Sequence, residues 1–392
     1  MDIQWLDWLT LLLRWLHVIT AIAWIGASFY FIWLDLSLQT PSPDRKAAGL
    51  GGELYAIHGG GIYQVGKYTS HPTPMPGTLH WFKWEAYSTW LTGTALMIAI
   101  YYFKADAYLV GANLWVDQPR IAVLCSVGYL LGGLLIYELL MRYVVHTTRS
   151  QAIALIALLT CLSWIAFNTF APRAAILHVG AVLATMMAAN VFLVIIPSQK
   201  KFVAAIDAKE PPDLTLQTNA KLRSTHNNYL TLPVLFCMLA NHNAFVYSHP
   251  QAWLFVIGFS GVAAYARHYF NVKHRGENKP HILAVAAALF VALIVTTQVT
   301  RDPVAVDNTA AIDLAQVDVV VATHCANCHA QEPTVPGFVA PPKGMIFATA
   351  KQLDAHAEAV RTSLQTNFMP LGNMSGMSAE ERTLLLSYLS DR

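Results

Sequence analysis

His281-Ile282-Leu283-Ala284-Val285-Ala286-Ala287-Ala288-Leu289-Phe290-Val291-Ala292-Leu293-Ile294-Val295 carries no polar side chain after its first residue. Extended to residue 299 as a helix rising 1.5 Å per residue, it matches the roughly 30 Å of hydrocarbon in a bilayer. Working back from it, seven more stretches have the same character, near 8–36, 84–103, 119–141, 151–171, 174–197, 229–247 and 252–270. A buried helix of a soluble protein can imitate one such stretch, but not eight in series. The expected fold class is all-α: an eight-helix transmembrane bundle over residues 1–300, a linker over 301–312, and a small domain over 313–392.

Composition agrees. Of 392 residues, 55% are hydrophobic and 12% charged, whereas soluble domains carry about a quarter charged residues. The lipid bilayer is therefore an expected partner. Nucleic acid is not, because the net charge is only +2 and the basic residues are spread over short loops. No cleavable leader is expected, since the apolar run at 8–36 is too long for a signal core and lacks a small-residue cleavage site.

Charge placement orients the spans. The first, third, fifth and seventh loops hold fifteen lysines and arginines, against four (Lys104, Arg120, Arg173, Arg301) in the other loops and at the tail edge. Positive loops stay inside, so both termini are expected outside, which means a periplasmic N-terminus and tail in a bacterial inner membrane.

The tail carries Cys325-Ala326-Asn327-Cys328-His329. Two thiols at this spacing add across haem vinyl groups, and the following histidine ligates the iron. A zinc site would need further cysteine or paired histidine ligands, and no other cysteine lies in the tail. Covalent haem attachment occurs outside the bacterial cytoplasm, in agreement with the charge bias. The remaining cysteines, Cys125, Cys161 and Cys237, stand singly in apolar stretches, where a thiol behaves as a small hydrophobe. A second axial ligand is expected about forty residues on; Met369, Met374 and Met377 are the thioether candidates. Similarity to small class I cytochromes c, where the ligand often sits in a Met-Pro pair, favours Met369. Ser378 and Glu381 read as a capping box for a closing helix. A thioether-ligated haem moves electrons and leaves no open position for substrate.

Ionisable groups inside spans are costly and are functional candidates. Arg14 and His17 share a face of the first helix, and His178 opens the fifth at similar depth. Leu16-His17-Val18 and Leu177-His178-Val179 form a faint internal echo. His17 and His178 read either as ligands of a b-type haem, with Arg14 near a propionate, or as interhelical hydrogen-bonding groups. Glu138 and Arg142 read as an i,i+4 ion pair. At the expected cytoplasmic ends stands a denser polar set: His80, Lys83 and Glu85; His226, Asn227, Asn228 and Tyr229; Arg267, His268 and Asn271; and His281. Amide, guanidinium and imidazole groups together suit a flat anionic heterocycle.

Several runs together resemble the bacterial membrane-bound, cytochrome-c-linked urate oxidase family. They are Arg14-Trp15-Leu16-His17-Val18 with Trp24-Ile25-Gly26-Ala27-Ser28-Phe29-Tyr30, and Gly51-Gly52-Glu53-Leu54 with His58-Gly59-Gly60-Gly61. Leu79-His80-Trp81-Phe82-Lys83-Trp84-Glu85-Ala86, His226-Asn227-Asn228-Tyr229 with Leu232-Pro233-Val234, and Arg267-His268-Tyr269-Phe270-Asn271 complete the set. The resemblance covers essentially the full chain. It implies oxidation of urate to 5-hydroxyisourate, with electrons leaving through one covalent haem c to a soluble cytochrome c or a terminal oxidase instead of forming hydrogen peroxide. Candidates for the base or for water positioning are His58, His80, Lys83 and His226, and candidates for holding the oxo groups are Asn227, Asn228, Arg267 and His268. A quinol-oxidising respiratory subunit with b and c haems is the competing reading, and a transporter with a redox tail is a third. A cytoplasmic-side site would lie about 30 Å from an outer haem, so either a midway redox centre exists or substrate binds nearer the outer face.

Overall fold

The computed structural model describes all residues except 1–2, 112–113, 248, 301–312, 336–339, 366–367, 374 and 391–392. The expected linker and Met374 thus lie outside the described residues.

The chain is mainly helical. Long helices run over Ile3–Ser37, Trp84–Met97, Pro119–Leu139, Thr148–Thr169, Pro172–Ala189, Leu214–Ala240, Ala252–His274 and Pro280–Val299. Every expected apolar stretch overlaps one of them. Among the described residues, five segments are long and apolar enough to cross a membrane: Trp5–Ser37, Pro119–Val144, Thr148–Thr169, Pro172–Asp207 and Pro280–Val299. The starts follow local chemistry. Proline opens the helices at 119, 172 and 280, where its missing N–H costs nothing. Asp213 caps the helix at 214 by accepting from the Thr215 amide at 2.9 Å, which satisfies one of the unpaired first-turn donors. That cap explains the largest boundary shift. The stretch expected at 229–247 begins about four turns earlier, because its polar first half is helical too.

Among the described residues, three helices widen into π turns, at Ile98–Tyr102, Leu140–Val144 and Asn190–Ile195. Such turns re-aim side chains and recur at functional sites.

The Pro172–Ala189 helix is the axis of the bundle, with Ile176, Val179, Val182 and Met186 fully enclosed. It packs on Pro119–Leu139, Thr148–Thr169 and Leu214–Ala240. Close approach depends on glycine here. A Cβ on Gly180 would stand 2.7 Å from Cys237 Cβ, well inside normal contact.

One feature departs from an all-helical reading. The long first loop folds into an antiparallel hairpin, Leu50–His58 with Gly61–Tyr68. Gly59 and Gly60 turn it with φ of 58° and 82°, the left-handed pair that a two-residue hairpin turn requires. Its base is tied down: Lys67 pairs with Asp35 of the first helix, and Lys221 Nζ reaches the same carboxylate at 2.8 Å. Its far end is bare. Ile57 and Ile62 face each other across the strands and are each 78% exposed.

The tail has a core of its own, built from Val317, Val320 and Val321 against Leu353, Leu364, Leu385, Leu386 and Leu389. The expected capping box is present. Ser378 Oγ accepts from the Glu381 amide at 3.1 Å, and Glu381 Oε2 accepts from the Ser378 amide at 2.8 Å.

Candidate functional site

A cavity of about 290 Å³ opens where four elements meet. The first helix supplies Trp24, Ala27, Ser28 and Phe31, which recur at helical spacing on one face. The approach to the Trp84–Met97 helix supplies His80, Trp81, Phe82 and Glu85. The Asn190–Ile195 π turn adds Val191 and Ile195, and Gln199, Ser224 and Asn227 close the wall. Phe31 and Phe82 meet edge to face at 4.7 Å, and His80 packs on Phe82 at 4.5 Å. Flat aromatic walls with a few converging polar groups suit a small planar ligand. Among the described residues, Glu85 Oε2 is buried with no hydrogen-bond partner. An unsatisfied carboxylate oxygen beside a cavity is an acceptor waiting for a donor.

Behind Asn227 lies a buried polar chain. Its Nδ2 donates to the Met187 carbonyl at 3.0 Å, and its Oδ1 accepts from Asn190 Nδ2 at 2.8 Å. Asn190 Nδ2 also reaches the Tyr137 hydroxyl at 3.0 Å, which lies 2.9 Å from His226 Nδ1. Arg223 closes the network: Nη1 donates to Asn190 Oδ1 at 3.2 Å, Nη2 to Glu138 Oε2 at 3.0 Å, and the guanidinium lies over the Tyr137 ring at 5.0 Å. The expected Glu138–Arg142 pair forms as well, at 3.0 Å. The network fixes the Asn227 amide in one orientation.

The expected site residues divide. His80 and Asn227 line the cavity. Lys83 lies next to its wall without lining it. His226 sits in the network behind. Asn228 and Arg267 pair with each other, Arg267 Nε donating to Asn228 Oδ1 at 2.6 Å while its guanidinium stacks 3.9 Å from the Phe29 ring centre. His268 pairs with the Tyr229 hydroxyl at 2.8 Å. His58 ends the exposed hairpin strand, outside the cavity.

Two expected candidates lie in the helix bundle. His17 Nδ1 faces the Thr89 carbonyl and Thr92 Oγ1, each at 3.1 Å. His178 is fully enclosed and stacked on Phe170 at 4.1 Å, with Nε2 at 2.6 Å from Ser126 Oγ and Nδ1 at 2.7 Å from the Ala174 carbonyl. Both its ring nitrogens are committed, so this histidine as placed does not fit a haem ligand. The hydrogen-bonding alternative describes it better.

In the tail, Cys325, Cys328 and His329 fall on one turn, with the His329 amide donating to the Cys325 carbonyl at 2.9 Å. His329 Nδ1 lies 2.9 Å from the Met345 carbonyl. That bond puts the proton on Nδ1 and leaves Nε2 free to coordinate, the second-neighbour arrangement that metal-bound imidazoles use. Burial pushes the Cys325 thiol up to about 11 and raises that of Cys328. The two thiols are not bonded to each other. This donor set fits a covalent haem c. Met369 is half-buried and Met377 belongs to the tail core.

Sequence reasoning missed Trp24, Ser28, Phe31 and Gln199 as cavity walls and Arg223 as the partner of Glu138. Glu85 was visible in the polar set but carried no role.

No curated protein and no solved structure matches this chain. A family model described as Urate oxidase N-terminal matches residues 3–298, from the first helix to the last helix before the tail. The chain belongs to the urate oxidase N-terminal family.

Proposed function

We propose that the protein is a membrane-bound oxidoreductase that converts urate to 5-hydroxyisourate and sends the electrons into its own C-terminal cytochrome c domain. The balance is urate monoanion plus water giving 5-hydroxyisourate, one proton and two electrons. No oxygen is consumed and no peroxide is formed. Membership of the urate oxidase N-terminal family supports the substrate, and the observation that carries the reading is the cavity between Trp24, Phe31, Trp81 and Phe82 with Glu85 Oε2 unpaired beside it.

In this reading the aromatic walls hold the flat purine, and Asn227 and His80 meet its oxo and N–H edges. Glu85 accepts a ring N–H proton, a role that geometry favours over Lys83. His80 at the mouth orients the water that adds at C5. The buried network behind Asn227 holds that amide rigid, so recognition costs little reorganisation. Cys325, Cys328 and His329 would hold the haem, with Met369 as second ligand, and the group supplies a one-electron carrier. The chain crosses the inner membrane eight times with both ends periplasmic, a reading supported by the five strongly apolar segments and by the charge bias of the loops. The final acceptor is a soluble cytochrome c or a terminal oxidase.

The test is anaerobic addition of urate to membranes containing the protein, watching the absorption of reduced c-type haem. Reduction by urate is the expected outcome. Reduction by quinol and not by urate would overturn the reading in favour of a respiratory electron-transfer subunit.

A further inference from the structure

The tail touches the bundle through a small, well-defined patch. Phe368 packs against the hydrophobic core of the bundle, its ring 6.4 Å from that of Tyr247, which is buried. Residues 371–373 lie against the short helix Ala105–Tyr108. Tyr108 in turn meets Tyr101 at 5.7 Å and carries the Arg173 guanidinium over its ring at 5.8 Å. All of these bundle residues sit at the ends assigned to the outside by charge placement.

The tail's side of the contact is rigid. The Phe368 and Met369 amides donate to the Ser363 carbonyl at 2.9 and 3.1 Å. Arg382 Nη1 donates to the Met369 carbonyl at 2.7 Å and to the Leu364 carbonyl at 2.9 Å. Segment 368–369 is thus tied to helix Ala357–Gln365 and, through Arg382, to helix Ala379–Leu389. The residue that enters the bundle's core is the immediate neighbour of the candidate thioether ligand.

The geometry points to residues 368–373 as a docking face that holds the tail in place on the bundle, with its Met369 edge turned toward the substrate domain. This rests on the proposed function and adds the side from which electrons reach the tail. Trp24, a wall of the cavity, and Phe368, on the tail, pack against the same hydrophobic cluster. Apolar contacts therefore link a wall of the cavity to the residue beside Met369. A small contact suffices, because tethering gives the tail a high effective concentration at the patch, and redox contacts are small by nature. The opposing arrangement is a tail that leaves this patch and collects electrons elsewhere.

The test uses the full chain in native membranes, with Tyr247→Cys and Phe368→Cys combined and treated with a short bis-maleimide. Docking predicts an intramolecular cross-link, read as a mobility shift and by mass of the joined peptides, that each single variant lacks. It also predicts that the linked protein reduces its haem with urate within about threefold of the wild-type rate. Phe368→Ala should slow that reduction at least tenfold while the dithionite-reduced spectrum stays unchanged. Absence of the cross-link, loss of reduction in the linked form, or an unaltered rate in Phe368→Ala would each overturn the proposal. The cross-link forms or fails without any substrate, so it decides docking even if urate proves not to be the reductant.

Discussion

Arg223 Nη2 donates to Glu138 Oε2 at 3.0 Å across 85 residues of sequence, and both side chains are nine-tenths buried or close to it. Removing one member of a buried ion pair costs about 3–5 kcal/mol when the other charge is left alone, and because Arg142 Nε still faces Glu138 Oε2 at 3.0 Å the loss here should fall at or below the lower end of that range. Arg223→Met should therefore lower the thermal midpoint in detergent strongly, and Arg142→Met, whose guanidinium is half exposed, only slightly. The double variant Arg223→Met/Glu138→Leu should recover part of the loss, because coupled neighbours are not additive. A double variant as unstable as the sum of the singles would contradict the pairing.

Glu85 and Lys83 are two residues apart but face different surroundings, and turnover should separate them. General acid–base groups contribute about 10²–10⁴-fold. Glu85→Gln keeps the shape and loses the basic oxygen, so urate-driven haem reduction should fall by at least about a hundredfold. Lys83→Met should fall by far less. Equal loss in both would return the base to the open set.

His58 ends the exposed hairpin strand, and the cavity does not include it. His58→Ala should leave urate turnover within about twofold, on the ground that surface changes away from a site cost little. A large loss would mean that the hairpin closes over the cavity during the reaction.

The tail's two thiols should differ in chemistry before haem is attached. Only the thiolate reacts, and burial pushes Cys325 up to about 11 from an ordinary value of 9.0. At pH 7 its thiolate fraction is about a hundredfold below that of an unperturbed thiol, and the ratio shrinks as pH rises through 9. In haem-free chain, alkylation followed by peptide mass analysis should mark Cys328 well before Cys325, and the gap should narrow above pH 11. Equal rates at pH 8 would remove the burial argument.

Gly180 reports on how closely the central helices approach. A side chain there meets Cys237 Cβ and Met238 Cε within 2.9 Å, and overpacking costs about 1–3 kcal/mol. Gly180→Val should lower the thermal midpoint in detergent, and an unchanged midpoint would mean that the two helices can part without cost.

Much of the helical plan could be read from the sequence, because long apolar runs report burial or lipid directly. The Cys325-Ala326-Asn327-Cys328-His329 motif was legible for a similar reason, since its spacing is local, and the structure places its residues on one turn. The hairpin at 50–68 was not, because its glycines at 51, 52, 59, 60, 61 and 66 dilute the alternation that marks a strand. Nor was Arg223, whose partners Glu138 and Asn190 come from other helices. The cavity shows the same divide. His80 and Asn227 were visible as polar residues at helix ends, whereas Trp24 and Phe31 lie in a long apolar run that gave neither a role at a site. Glu85 stood in view without a role, since an unpaired oxygen is a property of three-dimensional surroundings.

Ile57 and Ile62 stand together at the free end of the hairpin, with Tyr55 on the same face and no charged residue between Leu54 and Lys67. Covering an aliphatic side chain of this size is worth about 1.5–3 kcal/mol, and exposed apolar strand ends invite association. For anyone purifying this protein, the detergent belt around the helices is thus only half of the solubility problem. Ile57→Lys should raise the monodisperse fraction in size-exclusion chromatography, because it puts a charge where chains would otherwise adhere end to end.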